Sequence, residues 1–332
     1  MAEGSSWTSL HAKLHRTLRS RHLLQHNQRL LVAVSGGQDS LCLIKLLLDL
    51  LPLWGWHLGI AHCDHRWRPD SEANANHVEQ LARTWNTSFY RYTSEQILKS
   101  EAASRQWRYQ ALSAIAASNH YNCIVTGHTA SDRAETLLYN LIRGSGADGL
   151  QALTWKRSLG SGIELVRPLL EVTRAQTAQF CQDMQLAVWE DSTNQDLKYA
   201  RNRIRQELLP YLQTHFNPQV EQALAQTAEL LQAEVEYLEL AAHQLMQQAM
   251  PQPKSPRLNR RVLQTAPLAL QRRVMRQVLQ QTLATSAPSF EQVEKLTALI
   301  TAPNRSRTDP FPGGAIAEVD GDWIFWGVGS RE

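Results

Sequence analysis

Apolar positions along the chain follow two alternating patterns. Short runs with strand character occur at 30–34, His57–Ala61, Ser88–Tyr92, Cys123–Thr126 and Ile163–Val166. Between them, segments 41–51, 72–85, 101–118 and 131–143 have helical composition. Brief apolar runs alternating with helical segments predict an α/β fold, a mostly parallel sheet covered by helices on both faces. Ahead of the first strand, Leu10, Leu14 and Leu18 share one helical face. Lys13, Arg16, Arg19, Arg21 and Arg29 give this region the charge of a transit peptide. The helix leads directly into the first strand, leaving little room for cleavage, so it reads as part of the mature fold.

The pattern changes near Pro210–Pro218. A helical stretch from Gln219 to about Ala249 reads as a connector. A proline-rich loop follows at Met250–Pro256, then helical runs at 260–283 and 289–300. Ala315–Val319 and Trp323–Trp326 flank Asp320-Gly321-Asp322, which reads as a hairpin. The expected organisation is a first domain over residues 1–215 and a smaller, mainly helical domain over 216–332. At 332 residues the chain is long enough for both.

Composition adds limits. The four cysteines, at 42, 63, 123 and 181, show no paired or zinc-like spacing and read as reduced thiols of a cytosolic protein. The most apolar region, 41–61, is broken by Lys45, Asp49 and Pro52, so no membrane span is expected. Net charge is only +3, but its distribution is uneven. Between Glu239 and Glu291 no acid occurs, while Lys254, Arg257, Arg260, Arg261, Arg272, Arg273 and Arg276 do. Such a stretch suits a polyanion such as RNA, and a solvated basic face would look the same.

The chemistry concentrates in Ser35-Gly36-Gly37-Gln38-Asp39-Ser40, between the first strand and a helix. Unpaired N–H groups at a helix N-terminus attract anions, and glycines let the backbone close around a phosphate. Ser35 and Ser40 add hydroxyls, and Asp39 suits Mg²⁺ held against phosphates. The spacing is neither that of a Walker loop nor that of a dinucleotide fingerprint. Three further clusters, His62–His65, Gly127–Glu135 and Arg167–Leu170, also fall at strand carboxyl ends, where such sheets bind ligands. Their convergence predicts one shared site.

Asp132 and Glu135 share a helical face in a first turn. They read either as dipole-favoured acids or as a pocket for a cation. Asp191–Asn194 supplies helix-capping residues. After it, Arg201 and Arg205 share a face, Arg203 points elsewhere, and the three arginines suit phosphates. Asp64 and His65 read as pocket-lining rather than as zinc ligands.

Taken in order, these motifs resemble one family, the bacterial and plastid tRNA(Ile)-lysidine synthetases. The resemblance rests on residues 35–40, Ala61–His65, Ser71-Glu72 and Arg105 with Arg108-Tyr109. It continues through Gly127–Thr136, Arg143–Gly146, Arg167–Leu170, Asp191–Asn194 and Arg201–Arg205 with Leu209-Pro210. It covers about two thirds of the chain, and the remainder is similar, more loosely, to that family's small RNA-binding domain.

The resemblance implies an adenine-nucleotide α-hydrolase-like fold and a ligase that forms a carbon–nitrogen bond. ATP and Mg²⁺ are the implied cofactors. tRNA(Ile) with a CAU anticodon and free L-lysine are the implied partners, and a homodimer stays open. The wobble cytidine C2 oxygen attacks the α-phosphate of ATP, and the lysine amine then expels AMP to leave lysidine. Ser35, Gly36, Gly37, Gln38, Asp39, Ser40, His65, Arg105 and Arg108 would bind the nucleotide, with Asp39 on the metal. Asp132 and Glu135 would receive lysine, and Arg205 would meet phosphates. The setting would be cytoplasmic, or the stroma for a plastid chain.

Two departures carry expectations. Ser131 stands where the family has a first acid before Asp132, which would weaken lysine or magnesium binding. The chain stops soon after the hairpin, which would leave discrimination against methionine tRNA to the basic domain. Two alternatives compete: a tRNA thiolase of the same fold, against which the isolated cysteines speak, and a non-catalytic RNA-binding protein that uses ATP as a switch.

Overall fold

A computed structural model describes residues 7–66, 70–95, 101–189, 196–250, 252, 256–282 and 288–328. Asp191–Asn194 and Lys254 lie outside them. The chain divides into two compact units, residues 1–231 and 232–332.

The first unit is built on strands β1 (Arg29–Ala33), β2 (His57–Asp64), β3 (Ser88–Thr93), β4 (Cys123–Thr126), β5 (Lys156–Ser158) and β6 (Glu164–Val166), in the order β3-β2-β1-β4-β6-β5. All run parallel except β5, which is antiparallel to β6. Strand alternation divides β1 between two cores. Leu30 and Val32 join the core formed with α1 (Ser9–Ser20), α2 (Gln38–Trp54) and α7 (Arg174–Asp183). Leu31 joins the opposite core, with Leu112, Ile115 and Ala116 of α4 (Glu101–Ser118). Leu10, Leu14 and Leu18 are buried in the first of these cores, as the amphipathic pattern of α1 predicts.

β1 pairs with β2 on one side and β4 on the other, so strand order reverses between β1 and β4. That reversal opens a crevice at the carboxyl ends of these two strands. The β1–α2 loop lies there, as does the turn into α5 (Ala130–Ile142).

Two features depart from the sequence pattern. α2 runs through Pro52 and stops at Gly55, whose φ of 67° suits a glycine cap. β5, Lys156-Arg157-Ser158, has no apolar residue and so gave no strand signal. It forms because β6 offers it a backbone partner.

Past α7 the chain forms α8 (Ala200–Arg203), a π-helical turn (Ile204–Leu208), α9 (Leu209–His215) and α10 (Val220–Ala249). The first unit runs past residue 215 because the early turns of α10 remain tied to it. Glu229 accepts bonds from Arg133 (2.6 Å), the Trp155 indole (2.7 Å) and Arg21 (2.7 Å).

The second unit packs α12 (Leu268–Thr282) and α13 (Phe290–Ala298) with a sheet of β7 (Arg257–Asn259), β8 (Ala315–Asp320) and β9 (Trp323–Val328), ordered β7-β9-β8. The expected hairpin therefore gains a third strand. The helix expected over 260–283 is two, α11 (Arg260–Gln264) and α12, because Pro267 cannot continue a helical hydrogen-bond ladder.

The acid-free stretch is neutralised by acids from beyond it. Arg273 and Arg276 meet Glu239, Arg272 forks onto Glu294, and Arg261 meets Asp322. Arg260 donates to the Ala302 carbonyl, and Arg257 stacks on Trp323 at 4.7 Å. No described helix is long and apolar enough to cross a membrane.

Candidate active site

The β1–α2 loop is shaped to leave backbone donors facing outward. α2 starts at Gly37 without any side-chain cap, so its first N–H groups are unspent. Gly36 has φ 89°, and a β-carbon there would lie 2.4 Å from Asn74 Oδ1. Asn74 donates to the Ser35 carbonyl (3.0 Å), and the Trp189 N–H donates to the Gly36 carbonyl (3.0 Å). The two serines divide their work. Ser40 is buried; its hydroxyl donates to the Gly37 carbonyl (2.8 Å) and accepts from the Ser35 N–H (3.1 Å). It shapes the loop, while Ser35 is exposed to a ligand. Gln38 turns away from the loop and donates to the Arg174 carbonyl (2.9 Å) and Thr177 (3.2 Å) on α7.

Three carboxylates meet beside this loop. Asp39 comes from α2, Asp132 and Glu135 from α5, and Arg174 from α7 joins them. Its guanidinium donates to Glu135 (2.7 Å), Asp132 (2.7 Å) and Asp39 (3.3 Å). Arg205 forks onto Glu135 at 2.8 and 2.9 Å and lies 3.9 Å from Asp132. The sequence offered Arg205 to phosphates; here its fork is committed to a carboxylate. Arg203 points elsewhere as expected, donating to the Leu197 and Lys198 carbonyls.

Asp132 divides its two oxygens between a helix cap and an arginine. One of its oxygens accepts from the Thr129 N–H and hydroxyl (2.8 Å each), closing a capping box. The other takes Arg174. Burial alone would raise the Asp132 pKa, but Arg174, His128 and the Thr129 bonds outweigh it and hold the carboxyl below its ordinary value. Asp39 goes the other way: burial, helped by the Asp132 charge, raises it, and Arg174 and Thr177 only partly offset this. The three acids carry one more negative charge than the two arginines offset.

Ser131 does not face this cluster. It is buried, donates to Glu221 (2.7 Å) and accepts from the Arg174 N–H (3.0 Å). The residue that replaces the family's first acid thus anchors α10 and the start of α7.

A cationic side lies across His128. Burial pushes the His128 imidazole down to about 3; the Asp132 charge opposes this, and Arg167, Arg108 and Arg105 add to it. Arg105 and Arg108 stand on α4. Arg167 follows β6, is 2 % exposed and donates to the Thr154 carbonyl (2.6 Å). His65 is half-buried at the end of β2. Asp64 accepts from Arg91 (2.9 Å) and the Arg66 N–H (3.0 Å), so it caps the strand end.

Sequence reasoning missed Arg174 and Thr177. One signal was available: an arginine just after the Thr173 cap sits against the helix dipole, a place that calls for compensating acids.

Magnesium fits here in a limited way. No group of three acids, histidines or cysteines among the described residues forms a metal cage. Mg²⁺ held by one or two carboxylates and nucleotide phosphates needs none. Asp39 has the longest bond to Arg174 of the three acids and is the one nearest the loop in sequence. The four cysteines are free thiols. Burial pushes the Cys63, Cys123 and Cys181 thiols up to about 12 and raises Cys42 as well, leaving them protonated.

The PP-loop domain family matches residues 8–212, and the TilS substrate binding domain matches residues 258–320. The tRNA(Ile)-lysidine synthase of Nostoc sp. is 70 % identical, with 98 % of each chain covered. That of Synechocystis sp. is 52 % identical over 96 % of this chain and 98 % of its own. The chloroplastic tRNA(Ile)-lysidine synthase of Zygnema circumcarinatum is 37 % identical over 87 % of this chain and 79 % of its own. Among solved structures, a U34-tRNA thiolase from Methanococcus maripaludis shares the fold, with a TM-score of 0.57 at 14 % identity over 67 % of this chain and 77 % of that one. On its PP-loop and on its likeness to these relatives along nearly its whole length, the chain belongs to the tRNA(Ile)-lysidine synthase family.

Proposed function

We propose that the protein joins free L-lysine to C2 of the wobble cytidine in tRNA(Ile) bearing a CAU anticodon. ATP is split to AMP and pyrophosphate, and lysidine is formed. The modified base pairs with A rather than G, and the tRNA is charged with isoleucine. The observation that carries this reading is the adjacency of an uncapped anion-binding loop and a carboxylate cluster with one unbalanced negative charge.

The loop N–H groups and Ser35 orient the ATP phosphates, with Ser40 and Asn74 holding the loop's shape. Asp39 would hold Mg²⁺, which supplies charge neutralisation on the departing pyrophosphate. The wobble base leaves the anticodon stack to reach the α-phosphate, as other modified bases do. Its C2 oxygen attacks, giving an adenylated cytidine. Asp132 and Glu135 then draw in the ammonium groups of lysine, and Arg174 and Arg205 yield part of their hold on them. The lysine amine attacks C2, and AMP leaves. Its substrates put the reaction in the cytoplasm, or in the stroma for a plastid chain.

The test is incubation with ATP, Mg²⁺, labelled lysine and either isoleucine or methionine tRNA transcripts, both with CAU anticodons. Label is expected in the isoleucine transcript alone, with AMP released. ATP cleavage without label would overturn the ligase reading. Asp132→Ala is expected to abolish incorporation while leaving ATP binding in place.

A further inference from the structure

Both units hold arginines paired with acids. Those of the acid-free stretch are largely spent on Glu239, Glu294 and Asp322. In the first unit, Arg105 and Arg157 have no carboxylate partner among the described residues. They flank the Tyr109 ring, at 5.8 and 4.7 Å from its centroid. With Gln106, Gln110, Ser113 and Leu159 they line a cleft of about 510 Å³, in which no lining residue is acidic. That volume falls within the roughly 300–1,000 Å³ of small-molecule sites.

The floor of this region is positive as well. Arg167 bonds the Tyr109 hydroxyl, and its own Nε is buried without a partner. Burial would raise the Tyr109 phenol, but Arg167, Arg105 and Arg157 together hold it below its ordinary value. An arrangement of three guanidiniums around one ring with no acid among them is costly unless an anion shares it.

The location separates this cleft from the ATP loop. Arg157 is on β5, the edge strand, and β4 and β6 lie between β5 and β1. Three strand spacings amount to about 14 Å. An ATP phosphate chain on the β1–α2 loop is seated elsewhere, whereas an RNA strand that delivers one base to the site continues on both sides of it.

We infer that the cleft between α4 and β5 is a second anion site, which takes a backbone phosphate of the RNA strand beside the nucleotide being modified, through Arg157 and Arg105. The inference rests on the reading that this chain modifies tRNA, and it moves Arg105 from the nucleotide to the RNA. Both guanidiniums lie within cation–π reach of the Tyr109 ring.

The test uses the full chain with Arg157→Ala and Arg157→Lys. Binding of the isoleucine tRNA transcript is measured across a salt series, with the KM for ATP and the Tm alongside. For Arg157→Ala, affinity is expected to fall several-fold, and the slope of log K against log salt to drop by about 0.7, the value for one single-strand phosphate contact. The KM for ATP and the Tm stay put, and Arg157→Lys restores the slope. Unchanged tRNA affinity and slope would overturn the inference, as would a raised KM for ATP in their place. A fall in Tm with the slope retained would make the pair a structural clamp and also overturn it. A wild-type protein that does not bind tRNA(Ile) overturns both this inference and the proposed function; wild-type binding with an unaffected variant overturns the cleft alone.

Discussion

A β-carbon on Gly127 would lie 2.7 Å from the carbonyl oxygen of Asp39. The end of β4 and the start of α2 thus touch backbone to backbone, with no side chain between them. That contact fixes the separation between the phosphate loop and the turn carrying His128 and Asp132. Gly127→Ala must push the two apart, at the roughly 1–3 kcal/mol typical of overpacking. Lysine incorporation is expected to fall far more than the urea midpoint. Full activity would show that the two loops need no fixed spacing.

Arg174 is the shared cation of Asp39, Asp132 and Glu135. Arg174→Ala leaves three acids facing one another with only Arg205 nearby. Loss of one partner of a buried pair costs about 3–5 kcal/mol, and the 25 % exposure of Arg174 puts the expected loss at the lower end. Arg174→Lys keeps the charge but not the three-way fork, so stability should recover more than activity does. Equal recovery of both would reduce Arg174 to a simple counter-charge.

Glu229 sets an acid limit on the first unit. Burial works to raise its carboxyl, but bonds from Arg133 and Trp155 and the charges of Arg133 and Arg21 hold it below its ordinary value. Its folded pKa is lower than the unfolded value of about 4.3, so its stabilisation is full above that pH. It is lost as pH falls through the folded value. Glu229→Gln should be less stable at neutral pH, and the gap to wild type should narrow as urea midpoints are followed down to about pH 3. A constant gap would mean the carboxylate charge contributes nothing.

The second unit should respond little to loss of charge. Arg272 and Arg276 are paired with Glu294 and Glu239. Replacing both with alanine is expected to leave the salt dependence of tRNA binding nearly unchanged. A flattened slope in the double alanine variant would show that these arginines leave their acids to meet RNA.

The layered fold and the phosphate loop were legible because local pattern determines them. Leu30, Leu31 and Val32 form a short apolar run that reads as a buried strand, and Gly36 suits a backbone that must adopt φ 89°. Asp132 and Glu135 were legible as a pair because helical spacing alone puts them on one face. Arg174 was hidden because its three partners lie 135, 42 and 39 residues away. The same holds for the acid-free stretch. Its positive charge is real in one dimension and is cancelled in three by Glu239, Glu294 and Asp322. β5 stayed hidden because an edge strand can form on its neighbour's hydrogen bonds without any apolar pattern of its own.

The Glu229 knot also has a place in time. Arg133, 1 % exposed on the helix that carries Asp132 and Glu135, finds its carboxylate 96 residues further along the chain. At about 5–20 residues per second, a ribosome takes on the order of ten seconds to cover that distance. During that interval the nascent catalytic unit holds a desolvating arginine without its counter-ion. Its last step of consolidation therefore waits for the early turns of α10 to emerge, and a chain released at the end of the PP-loop match, residue 212, would never take it.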